Sequence, residues 1–67
     1  MTLEKAREMI ADHVAIAGGY NLTATKIILG ELQHDAGQEA VDSIIREFQL
    51  DKLWGFAIGK RFERMYK

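Results

Sequence analysis

The sequence predicts an all-α fold: a small bundle of three helices plus a partly helical C-terminal segment, in a single domain over residues 1–67. Three observations carry that prediction. Within residues 35–48 the apolar side chains Val41, Ile44, Ile45 and Phe48 fall at i, i+3, i+4 and i+7, which is one face of an α-helix. Glycine-containing breaks at Gly18-Gly19 and Asp35-Ala36-Gly37 separate this run from two others of similar period. The composition, 48% hydrophobic and 28% charged, is that of an ordinary globular chain rather than a disordered or membrane one.

The first helix is expected near residues 3–17. Thr2 can cap it and Glu4 lies in its first turn, while Leu3, Ala6, Ile10, Val14 and Ala17 form a stripe that Met9, His13 and Ile16 widen. Gly18-Gly19 supplies the stop. The second helix is expected near 22–34, capped by Asn21 or Thr23, with Leu22, Thr25, Ile28, Leu29 and Leu32 on one face and Ala24 and Ile27 extending it. Gly30 inside it costs up to ~1 kcal/mol against alanine, so another element is expected to pass close there. The third helix is expected near 36–49, with Asp35 as N-cap, Gln38 completing a capping box, and Glu39 and Asp42 complementing the dipole. In the last segment, near 52–65, Asp51 can cap a helix that sets Trp54, Ile58, Phe62 and Met65 on one stripe. Gly55 and Gly59 favour a short helix followed by a loop.

A chain of 67 residues buries only about 60% of its unfolded surface, and without cysteine it has neither disulfides nor a thiolate metal site. Self-association is the readiest supplement. No uninterrupted apolar run, Ile27-Ile28-Leu29 included, comes near the ~20 residues that span a bilayer, and Met1-Thr2-Leu3-Glu4-Lys5 does not read as a signal peptide. A cytoplasmic location is expected, with no membrane partner. Charge is uneven: residues 1–51 hold nine acids against four bases, residues 52–67 five bases against Glu63 alone.

No catalytic, cofactor-binding or metal-ligating group is expected. Glu31 and Asp35 flank His34, but the three do not converge as metal ligands, and His13, between Met9 and Ile16, reads as a hydrogen-bonded packing residue. Ser43 lies mid-helix, away from any strained turn that would expose a nucleophile. Gly18-Gly19 lacks the Gly-Lys-Ser/Thr continuation of a phosphate cradle.

The run Gly18-Gly19-Tyr20-Asn21-Leu22-Thr23-Ala24-Thr25-Lys26-Ile27-Ile28-Leu29-Gly30 resembles the opening of a helix-turn-helix of the factor-for-inversion-stimulation type, where Gly-Asn-x-Thr-Ala precedes Leu-Gly and a recognition helix. The resemblance implies DNA binding through residues 18–30. It covers about a dozen residues, and the following helix leads with Gln38, Glu39 and Asp42, of which the two acids are repelled by phosphates. The basic tail, Lys60, Arg61, Arg64 and Lys67 with Phe62 and Tyr66 between, is the other candidate contact for nucleic acid or an acidic partner.

These features lead to the expectation of a non-catalytic helical interaction protein, a homodimeric cytoplasmic regulator or adaptor that binds a macromolecule, with another protein as the expected partner. Trp54, Phe56, Ile58, Phe62 and Met65, five large apolar groups that one helix face cannot bury together, are its expected interface. The alternative is a DNA-binding transcriptional regulator using residues 18–30 or the basic tail.

Overall fold

A computed structural model describes residues 1–16 and 19–63. Among these there are four helices and no strand: α1 (Leu3–Ala15), α2 (Gly19–Ala36), α3 (Gln38–Phe48) and the single turn α4 (Leu50–Leu53). The C-terminal half of the 36–49 region and all of α1 follow the apolar period. Thr2 caps α1 as expected, its hydroxyl accepting from the Lys5 N–H (3.1 Å). Ala17 and Gly18 lie outside the described residues.

Helix α2 packs against both α1 and α3, α1 also meets α3, and α4 packs on α3. The buried set is Ala6 and Ile10 from α1, Ile28, Leu29 and Leu32 from α2, and Val41, Ile44 and Ile45 from α3. Leu50, Phe56 and Phe62 complete it from the C-terminal side. Leu3, Val14 and Phe48, which the sequence pattern places in the core, are only partly buried at its edge.

Two helix ends differ from expectation. Helix α2 begins at Gly19, so Asn21 and Thr23 stand inside it and not at its cap. Their lower helix propensity costs only tenths of a kcal/mol each, less than the backbone bonds of an added turn return. At the other end α2 runs through Asp35 to Ala36, and α3 starts from Gly37 with no side-chain cap. Asp35 cannot serve as that cap because both its oxygens are engaged: Oδ2 by the Met1 ammonium (2.6 Å) and Oδ1 by His34 Nδ1 (3.0 Å). Gln38 is likewise taken away from a capping box by partners described below. Gly37 makes the reversal in one residue at φ +88°, a conformation that a side chain would strain.

Helix α3 ends on Gln49, which adopts a left-handed conformation (φ 53°) while its N–H reaches the Ile45 and Arg46 carbonyls. That turn re-aims the chain so that Leu50 enters the core. From Gly55 (φ +78°) the chain leaves helical geometry and residues 55–63 cross the bundle as a strap, so Trp54, Ile58 and Phe62 do not form the expected helical stripe, whose fourth member, Met65, lies outside the described residues. Gly55 and Gly59 account for this: both hold positive φ, which glycine adopts without strain and which no continuous helix contains.

The size of the core sets a clear expectation. Ile44→Ala removes a fully buried side chain and costs about 2–5 kcal/mol, and Phe56→Ala about 3–5 kcal/mol. Against a total of roughly 0.05–0.15 kcal/mol per residue, either change removes a substantial part of the stability of a chain this short. Urea denaturation followed by circular dichroism measures it; a midpoint like that of the parent would mean that the side chain faces solvent.

Candidate functional site

The strap is fixed by aromatic anchors and by polar side chains that meet its backbone. Phe56 and Phe62 are 3% and 6% exposed, their rings edge to face with centroids 5.4 Å apart, and Trp54 stands 5.9 Å from Phe56 at its half-buried margin. Phe56 and Phe62, expected at a partner interface, are therefore spent on the chain's own core. The reason is local: Gly55 turns the chain so that the Phe56 N–H donates back to the Leu50 carbonyl (3.2 Å), which carries the ring inward. Ile58 remains on the surface at 46% exposure, and Met65 lies outside the described residues.

Outside a helix the strap's N–H and C=O groups need partners, and α2 and α3 supply them. Asp42 Oδ1 accepts from the Gly59 N–H (2.8 Å) and from Gln38 Nε2 (2.9 Å). Gln38 Nε2 also donates to the Lys60 carbonyl (2.8 Å), and Gln33 Oε1 accepts from the Phe62 N–H (3.3 Å). A turn closed by Lys60 N–H on the Ala57 carbonyl (3.1 Å), with Gly59 at φ +88°, presents the Gly59 amide to Asp42. The Gly59 N–H first, and Gln38 second, hold the Asp42 carboxyl below its ordinary 3.8.

Two concave surfaces flank this arrangement. Val14, Phe48, Gln49, Lys52 and Leu53 line an open apolar groove of about 370 Å³ between the end of α1 and the α3–α4 junction. Leu53 is 44% exposed there, and Ile16, just past the end of α1, is 74% exposed. On the other side a cleft of about 300 Å³ is lined by Gly30, Gln33, His34, Arg61, Phe62 and Glu63. Gly30 thus faces residues 61–63 of the strap across this cleft.

The remaining candidates are placed as follows. His13 Nδ1 lies 3.2 Å from the hydroxyl of buried Thr25, the packing role expected of it. The Ser43 hydroxyl donates to the Ala40 carbonyl (2.9 Å) within α3. Lys60 and Arg61 are exposed, with Lys60 Nζ 5.6 Å from the centroid of the Phe62 ring, while Arg64 and Lys67 lie outside the described residues. The helix-turn-helix resemblance requires a turn after Leu29-Gly30. Instead α2 continues for six residues beyond Gly30, because Leu29 and Leu32 are both buried and one interior glycine is a smaller cost than exposing them. Among the described residues no group of three or more His, Asp or Glu side chains could hold a metal ion, and no helix is long and apolar enough to cross a membrane. The chain matches no protein-family model, no curated protein and no solved structure.

The Asp42 clamp has a defined acid sensitivity. Because its folded pKa is lowered, its contribution is complete above the ordinary value of 3.8 and is lost as pH falls through the folded value. Asp42→Asn keeps the shape and removes the charge. The variant melts below the parent at pH 6, and the gap between them narrows as pH falls below 3.8; a gap independent of pH would show that the carboxylate charge plays no part.

Proposed function

We propose that the protein is a non-catalytic interaction protein that binds a macromolecule, and that it pairs with a second copy of itself through the groove between α1 and α4. The observation that carries this reading is the groove itself. After Phe56 and Phe62 have been drawn into the core, Val14, Phe48 and Leu53 still line an open apolar surface. Aromatic and aliphatic groups at the centre of a patch, with the Lys52 stem beside them, are what interface cores are made of. The rim is also self-complementary. Exposed Asp51 and Lys52 are adjacent, so a twofold axis sets the acid of one copy against the base of the other.

This differs from the interface that the sequence suggests, since of Trp54, Phe56, Ile58 and Phe62 only Ile58 is an exposed large apolar group. Sedimentation equilibrium at micromolar concentration tests it: the parent has a dimer mass, and Leu53→Asp has a monomer mass with an unchanged helical spectrum, because Leu53 lies outside the core cluster. A monomeric parent, or a dimeric Leu53→Asp, contradicts the reading. Binding to duplex DNA that falls steeply between two salt concentrations would favour the DNA-binding alternative instead.

A further inference from the structure

We propose that the cleft between the last turns of α2 and residues 61–63 binds a small phosphate monoester, held by Arg61 and His34 with Gln33 as a third donor. The cleft, about 300 Å³, is at the small end of ligand sites, which suits one phosphate and a short organic group. Its donors are set by what their other atoms do. The Phe62 N–H can only donate, so the Gln33 atom it meets is the carbonyl oxygen, and the two Gln33 amide hydrogens remain for a ligand. Asp35 is a carboxylate held at about 2, first by the Met1 ammonium and then by His34, so His34 Nδ1 is the donor in that pair, and it is the imidazolium form of His34 whose Nε2–H donates to a phosphate oxygen. Arg61 is exposed and makes no ion pair among the described residues, and its planar fork matches two phosphate oxygens.

The surrounding charges favour a single phosphate over a polyanion. The Lys60 ammonium, over the ring of Phe62, adds positive potential at the cleft wall, whereas Asp35 is already compensated by the Met1 ammonium. Glu63 also lines the cleft and forms no ion pair among the described residues. It would repel a chain of phosphates continuing past it, yet it can accept a hydrogen bond from a hydroxyl on the organic part of a monoester. Gly30 carries no side chain where it lines the cleft beside Gln33 and His34, so the ligand can approach the helix backbone closely at that position. The site is independent of the dimer groove, with which it shares no lining residue.

The test is a two-dimensional amide NMR titration with inorganic phosphate and with glycerol 3-phosphate at constant ionic strength. Saturable shifts concentrated at residues 30–34 and 61–63 are expected. Arg61→Gln weakens binding about tenfold, as loss of a charge-assisted pair does, and His34→Gln weakens it as well. Lys5→Gln, outside both the cleft and the groove, leaves affinity unchanged. Melting curves of the Arg61 variant should match the parent, so a loss of binding is not a loss of fold. Shifts spread over Lys5, Lys26 and Lys52 alike, or an affinity indifferent to Arg61, would overturn the proposal. So would a duplex DNA that, at equal phosphate concentration, moves the same amides more than the monoester does.

Discussion

The edge-to-face pair of Phe56 and Phe62 is the contact on which the rest of this small fold depends. Three helices of 13, 18 and 11 residues present one apolar face each, and without cysteine nothing covalent holds them together. Two large rings brought over the bundle by a nine-residue strap add apolar burial that the helices alone do not reach, and aromatic pairs contribute about 0.5–1.5 kcal/mol beyond their area. The strap is not an appendage to a finished bundle. It forms one wall of the core, joined from below by Leu50 after the left-handed turn at Gln49.

A non-helical wall imposes its own constraint, because each amide that leaves a helix needs a partner. Asp42, Gln38 and Gln33 answer it from neighbouring helices, and this explains why polar side chains at the start of α3 face inward to the strap while that helix goes without a side-chain cap. One choice thus entails the other. With Gln38 bound to Lys60 and Asp35 bound to Met1 and His34, the reversal between α2 and α3 falls to the backbone freedom of Gly37. The same packing leaves the surface divided, with an apolar groove at the α1–α4 end and a polar cleft lined by Gly30 and residues 61–63.

How much of this was legible in the sequence follows from the range of each interaction. The faces of α1, α2 and α3 repeat every three or four residues, so Ile10, Ile28, Leu29, Leu32, Val41, Ile44 and Ile45 could be assigned to the core from spacing alone. His13 could also be read as a packing residue, although its partner Thr25 could not. Capping rules misplaced Asp35 because its partner Met1 is 34 residues away, and local rules do not carry that information. Leu50, Phe56 and Phe62 were obscured for a different reason. Their burial depends on three positive-φ turns at Gln49, Gly55 and Gly59, so helical spacing, which grouped Phe62 with Ile58, described a segment that is not helical. The clamp left still less trace, since its strap side consists of backbone groups that every sequence has.

The central claim is that the strap is part of the core and unfolds with it. Native-state hydrogen exchange at the Gly59 and Phe62 amides, bonded to Asp42 and Gln33, measures this most directly. The account predicts that both exchange only with an opening free energy close to that of the α3 amides at Ile44 and Ile45. Exchange of Gly59 and Phe62 at open-chain rates while α3 stays protected would contradict it.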